Sequence, residues 1–334
     1  MRRLSPLPLG AAVFLIPGLL RADGFGLCTG TEPKPCRDPL FRFAPLALEG
    51  GSAEPAASAL SVEPIDRSKR PGLLRDSALL FAGSLAATPF IWWHPVRDLP
   101  FHTRAEGWFD PDTYAGGADK TSHFVGSYIG FRAAEKANRA LGNRDRTARA
   151  LAFANVSLMG VLIEIGDAKT LYGFSWEDVA ADLAGTLTGV VVSALKLEDT
   201  VGFRIGTVPY SKPIDPGDRS GSYSREIYAG DLRLAGFLPR VGLAPGPARY
   251  FLLSVTYAVR GYQSLPPSQR ERLLGIEVGL NLAEVARALG VSGTRWWHEA
   301  VFFVLESFRF PYTALGFRYD VTGRRWVSPD SGQR

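Results

Sequence analysis

The feature that most limits the fold of this 334-residue chain is a set of three helical segments carrying the same stripe. Residues 120–141, 146–166 and 176–197 have helical periodicity, and residues three and four apart share a helix face. On the first segment that face reads Asp119, His123, Gly126, Gly130. On the second it reads Ser157, Gly160, Glu164, Asp167, and on the third Asp178, Asp182, Gly185, Gly189. Glycine at this spacing lets helix backbones approach closely, so Gly126, Gly130, Gly160, Gly185 and Gly189 are expected to be structural. The connections are short and polar, which makes consecutive helices antiparallel. The first helix begins at its acidic end, the second finishes there and the third begins there again. Asp119, His123, Glu164, Asp167 and Asp178 should therefore gather at one end of the bundle.

Several carboxylates beside one imidazole form a ligand set suited to Mg, Mn, Ca or Zn. A divalent ion held by Asp119, His123, Glu164, Asp167 and Asp178 would activate water, with His123 as ligand or general base. His123, Glu164 and Asp167 are the catalytic candidates. A structural reading competes at each position. Asp119 fits a helix N-cap, and Ser175-Trp-Glu-Asp178 fits a capping box. Glu164 and Asp167 are harder to explain that way, because they lie at a helix C-terminus, where the dipole disfavours anions. Lys120 or Lys169 would neutralise them. The sequence has no Gly-x-Ser-x-Gly elbow, phosphate-binding loop or His-Glu-x-x-His, so serine hydrolase, nucleotide-dependent and zincin readings have no support. The net charge of +5 is spread without a compact Lys/Arg run, and no nucleic-acid partner is expected.

The flanking regions suggest a compartment and a fold class. Met1-Arg2-Arg3 followed by the apolar stretch Leu9–Leu20 has the layout of a signal peptide over residues 1–22. An uncleaved anchor is the alternative. A lipoprotein cut before Cys28 is disfavoured because Leu27 stands where a small residue is required. Cys28 and Cys36 are spaced to close a small disulfide loop in an oxidising compartment. Residues 23–74 read as a flexible lead-in rich in Pro, Ser and Gly. An apolar run from Arg75 to Trp93, kinked at Pro89, is near the lower length limit for a membrane span and opens a bundle of about four helices over 75–198. After Glu198 the period becomes two. Half-buried antiparallel strands are expected at 201–208, 228–238, 250–262, 272–282 and 315–321. Leu274, Ile276, Val278, Leu280 and Leu282 lie on one face, with Gly275, Glu277, Gly279 and Asn281 on the other. One further helix is expected at 294–308. Five strands are fewer than the eight or more of a membrane barrel. The fold class is thus α+β: an antiparallel helical bundle, then a small antiparallel sheet with a helix over 199–330.

The run Ala118-Asp-Lys-Thr-Ser-His-Phe-Val-Gly-Ser-Tyr128, then Leu162-Ile-Glu-Ile-Gly-Asp167, then Tyr172-Gly-Phe-Ser-Trp-Glu-Asp-Val-Ala-Ala-Asp182, resembles the YfiM-like family of predicted periplasmic (lipo)proteins of unknown function. Arg249 to Val285 is similar to the tail of its longer members. The same order more distantly resembles VanZ-like membrane proteins, but Asp182 stands where those often have Asn, and Glu164-Ile-Gly-Asp167 replaces their Glu-x-x-Gln. The resemblance implies a periplasmic location and no established reaction. The topology signals conflict. Lys136, Arg139, Arg144, Arg146 and Arg149 would be cytoplasmic if the helices span a membrane, whereas a cleaved signal peptide starts the chain outside. A bundle that folds in the periplasm against a membrane surface or an envelope protein removes the conflict. The expected function is structural or binding, in the cell envelope. The alternative is a metal-dependent envelope hydrolase acting on a lipid or glycan precursor.

Overall fold

A computed structural model describes residues 72–92, 99–207, 223–262, 265–293 and 296–327. The signal peptide, most of the lead-in and the Cys28–Cys36 pair lie outside them. The chain is α+β. Helices α1 (Leu73–Trp92), α2 (Ala118–Leu141), α3 (Asp145–Asp167) and α4 (Trp176–Ala194) form the bundle. α2, α3 and α4 pack against one another in all three combinations, and α1 lies mainly against α3. Asn155 ties α1 to α3 through Ser84 Oγ at 2.7 Å and the Phe81 carbonyl at 3.2 Å. Among the described residues one helix, α3, is long and apolar enough to cross a membrane, and 44% of its apolar window is buried.

The remainder is a seven-stranded sheet with short helices. Its strands are β1 (Val201–Thr207), β2 (Glu226–Arg233), β3 (Phe251–Arg260), β4 (Glu271–Leu280), β5 (Phe308–Arg309), β6 (Ala314–Asp320) and β7 (Arg325–Val327), in the order β5-β1-β2-β3-β4-β6-β7. All neighbours are antiparallel except β5, which runs parallel to β1. Three helices accompany the sheet: α5 (Leu234–Arg240), α6 (Leu282–Ala288) and α7 (Trp296–Ser307). The expected strand 228–238 therefore ends at Arg233, where the chain turns into α5. The expected strand 272–282 ends at Leu280, because Asn281 caps α6 by accepting from Glu284 N. β5 and β7, of two and three residues, are too short to show a periodicity.

The alternation in the strands holds, but its polarity is the reverse of a sheet that turns its polar face to water. On β4, Leu274, Ile276, Val278 and Leu280 are exposed, while Leu273, Gly275, Glu277 and Gly279 are buried. The reason is curl. Val327 on β7 shares a buried cluster with Ile227 on β2, and Arg309 on β5 reaches Glu277 on β4. The inner face of this curve brings strands close enough that glycine is required at some positions. A Cβ on Gly316 would lie 2.2 Å from the Ile276 carbonyl oxygen, and one on Gly275 would lie 2.4 Å from Thr256 Oγ1. The polar side chains sharing that interior satisfy one another. Arg204 pairs with Asp231, which also accepts from Ser254, and Glu277 takes Arg309 at 2.7 Å and Arg318 at 3.0 Å. The outer face is apolar. Its β1–β2 portion packs on α2, where Phe203 lies edge-on to Phe124 and Tyr128. One core then joins bundle and sheet, with Val125, Tyr128 and Ile129 against Tyr228, Val259 and Phe303.

Candidate functional site at the acidic end of the bundle

Three of the five glycines on the stripes stand at close approaches. A Cβ on Gly185 would sit 2.0 Å from the Phe124 carbonyl oxygen, one on Gly189 would sit 2.4 Å from the Phe131 ring, and one on Gly160 would sit 2.6 Å from Asp182 Oδ2. Gly130 leaves ordinary contact distance to Val156. Gly126 takes no part in the close approach, since a Cβ there meets nothing within 4 Å.

At the end of the same stripes the acidic residues converge on His123. Its Nδ1 is 3.1 Å from Asp182 Oδ2. Its Nε2 faces Asp119 Oδ1 at 3.8 Å, Asp178 Oδ1 at 3.9 Å and Glu164 Oε1 at 4.0 Å. Beside it the Lys120 ammonium, 2% exposed, lies 2.6 Å from Glu106, 2.8 Å from Asp119 and 2.7 Å from Asp178. Asp167 borders the group and is half-buried. Local structure explains these positions. Asp119 is not the N-cap of α2. Gly117, at φ 92°, takes that place and has no side chain to cap with, while the Asp119 carboxylate turns to Lys120 and to the hydroxyl of Tyr223. Ser175 does cap α4, accepting from Asp178 N at 3.2 Å, and its own N–H donates to Glu164 Oε2 at 2.9 Å. The C-terminal position of Glu164 is thereby answered by the start of the next helix, whose free N–H groups favour an anion.

Three participants had weaker sequence signals. Asp182 lies one turn beyond Asp178 on the stripe, holds His123 and accepts from Ser127 Oγ at 2.6 Å. Lys120 stands next to Asp119 but outside the stripe. Glu106 lies in an irregular segment that crosses the α3–α4 turn. There Arg104 N donates to the Phe174 carbonyl and His102 N to that of Ala168, and no periodicity marks it.

Counted among the described residues, six carboxylates (Glu106, Asp119, Glu164, Asp167, Asp178, Asp182) face two cations, Lys120 and His123. Burial opposes a charged His123, but Asp182, Asp178 and Asp119 outweigh it and hold the imidazole well above its ordinary value. Lys120 is likewise held up by Asp119 and Asp178 against burial. Burial would also raise Asp119, yet His123 and Lys120 overcome it and keep that carboxyl below its usual range. Burial pushes Glu164 up to about 8, Glu106 up to about 7 and Asp167 up to about 6, and it raises Asp178 as well. The centre can thus hold protons near neutrality. It also has the donor set for a cation: Asp119, His123 and Asp178 each offer one ligand atom, all within 4.8 Å of one another. Glu164 Oε1 is buried, accepts no hydrogen bond and faces His123 Nε2.

No curated protein and no solved structure matches this chain. Residues 105–194, spanning Glu106, the three motif helices and every member of the centre, match the model of a family described as predicted periplasmic lipoprotein (DUF2279), and the protein is exported, to the periplasm or cell envelope.

Proposed function

We propose that the protein is a non-enzymatic, membrane-associated component of the cell envelope, in which the bundle is a structural or binding module locked at one end by the His123–Lys120 ionic network. The YfiM-like resemblance belongs to this reading. The observation that carries it is the position of Lys120. Its ammonium sits among three carboxylates at hydrogen-bond distance, and so already neutralises Asp119 and Asp178, two of the acids a metal would need. The recess that opens beside it, lined by Glu106, Trp108, Tyr114 and Asp119, has a cavity volume of about 10 Å³. Ordinary small-molecule sites occupy roughly 300–1,000 Å³, so this one suits a single water better than a lipid or glycan precursor.

A second reading has its own observation. Glu164 Oε1, Asp119 Oδ1 and Asp178 Oδ1 all face His123 Nε2 at 3.8–4.0 Å, and Glu164 Oε1 is buried without a hydrogen bond. Those residues would hold a divalent ion, and the alternative function is then a metal-dependent envelope hydrolase. Metal content of the purified protein, measured together with its melting temperature with and without EDTA, separates the two. Absence of metal and indifference to chelator sink the second reading. Stoichiometric metal with a large chelator effect sinks the first. Glu164→Gln sharpens the result: a folded variant that has lost its bound metal assigns the ligand.

A further inference from the structure

The outer face of the sheet is larger than the area the bundle covers. α2 occupies it over β1 and β2 and reaches the end of β3. Beyond that, on β3, β4, β6 and β7, the same face is left uncovered by the described residues and is almost wholly apolar. Val255, Ile276 and Phe317 form one cross-strand row, and Leu253, Val278 and Leu315 form the next. Ile276 is 70% exposed, Phe317 74% and Leu315 84%.

Three properties of this face identify what covers it. First, its polarity is inverted at the level of single residues. Ile276 faces out and Glu277 faces in, where it binds Arg309 and Arg318. Apolar-out and polar-in alternation is the pattern of strands that face hydrocarbon. Second, the face is banded. Its central rows are aliphatic with one Phe, while the row toward one end reads Leu274, Tyr319, Trp326 across three strands, beside Tyr257, which packs on the bundle and donates to the Gly116 carbonyl. Tyr250 and the exposed Tyr312 stand near the other end. Tyr and Trp at both margins of an apolar band are the signature of a lipid–water interface. Third, the flanking charge is basic. Arg270, Arg272, Arg324 and Arg325 flank the aromatic row against Glu271 and Asp320, while Arg249 beside Tyr250 is paired with Glu284. From Leu274 to Leu280 the band is about 20 Å long at roughly 3.3 Å per residue. Among the described residues the sheet is open, with β5 and β7 at its edges.

We propose that this exposed face of β3, β4, β6 and β7 lies on the surface of an anionic phospholipid bilayer, with Ile276, Phe317 and Leu315 in the hydrocarbon and the flanking tyrosines, Trp326 and arginines at the headgroups. The proposal rests on the membrane association proposed above and names the surface responsible.

The test is flotation of the full-length protein with vesicles of phosphatidylethanolamine and phosphatidylglycerol, for the natural chain and for Ile276→Glu/Phe317→Glu. Quenching of tryptophan fluorescence by brominated lipid is measured in parallel, with Trp326→Phe used to assign the signal. Losing two large apolar side chains from hydrocarbon lowers vesicle partitioning by about tenfold or more. The circular dichroism spectrum should be unchanged and the Trp326 quenching should disappear. Natural protein that floats, together with a double variant that floats equally well and shows no Trp326 quenching, overturns this surface while leaving membrane association in place. Natural protein that does not float overturns both. A dimer in sedimentation that the double variant dissolves, without change in flotation, assigns the face to a second copy and also overturns the proposal.

Discussion

The bundle end and the sheet interior both bury charge, and they balance it differently. Inside the sheet, Arg204 meets Asp231, and Glu277 meets Arg309 and Arg318. Charges there are paired, and the two arginines keep Glu277 below its usual range despite its burial. At the bundle end six carboxylates share two cations, and Glu164, Glu106 and Asp167 are displaced towards neutrality. Matched charges hold an interior together at all ordinary pH values. An unmatched excess must be met by protons or by a cation, so that end of the molecule responds to its surroundings. The candidate site is where the fold has left its electrostatics incomplete.

Removing a charge from either region should have the largest effect. Lys120→Met leaves Glu106, Asp119 and Asp178 without their shared cation, and stripping one partner from a buried ionic group costs about 3–5 kcal/mol. Glu277→Ala strands Arg309 and Arg318 and should cost a similar amount, whereas Ile276→Ala, one residue away on the exposed face, should change stability by less than about 0.5 kcal/mol. Urea unfolding of the three variants checks this. Equal costs for Ile276→Ala and Glu277→Ala would contradict the inverted polarity of the sheet. Next in size is Gly185→Ala, whose Cβ would lie 2.0 Å from a backbone oxygen that cannot move independently of α2. Overpacking of that kind costs about 1–3 kcal/mol.

Much of the site was legible because its signal is periodic. The spacing of Asp119 and His123, Glu164 and Asp167, and Asp178 and Asp182, with the short connections, is enough to place the acids at one end. What periodicity does not carry was not legible. Glu106 arrives on an irregular segment, and Tyr223 comes from a turn 104 residues from Asp119, so neither has a local pattern. The sheet shows the other limit. Alternation at 272–280 marks a strand with two unlike faces, but which face is inside depends on curvature set by Gly275, Gly279 and Gly316. The same alternation is written by a sheet facing water on its polar side and by one facing lipid on its apolar side.

The two regions also differ in pH response, because the raised acids lie at the bundle end. A carboxyl whose folded value is raised stabilises the fold fully below its unfolded value and loses that contribution as pH rises through the folded value. For Glu164, Glu106 and Asp167 the loss therefore runs from the ordinary carboxylate range up to about 8, 7 and 6. His123 acts in the same direction, its contribution complete below its ordinary value and lost as pH climbs through the higher folded one. Glu277 and Asp119 are lowered, so their contribution is present above the ordinary carboxylate value and is lost on acidification. Stability should be greatest near the ordinary carboxylate range, about pH 4–5, and fall from there towards pH 9, since each tenfold difference in proton affinity between the folded and unfolded chain is worth about 1.4 kcal/mol. Thermal melts across this range, in EDTA, check the slope, and Glu164→Gln should flatten its alkaline limb. If adding a divalent ion reverses that limb, Glu164 is ionised and ligating, and the metal reading prevails over the ionic lock.

The smallest effect separates packing glycines from incidental ones on a single stripe. Gly126 lies in the interior of α2, is exposed and has nothing within 4 Å of its Cβ position. Its backbone is helical, so alanine there removes unfolded-state freedom without steric cost and should stabilise by about 0.5–1 kcal/mol. Gly185, on α4 and pressed against the Phe124 carbonyl, should give the opposite sign. Denaturant melts of Gly126→Ala and Gly185→Ala, made in the same background, read that difference directly. If Gly126→Ala destabilises, then something covers this part of α2 in the envelope protein that the bundle itself does not supply, and an unrecognised contact would lie one helical turn from His123.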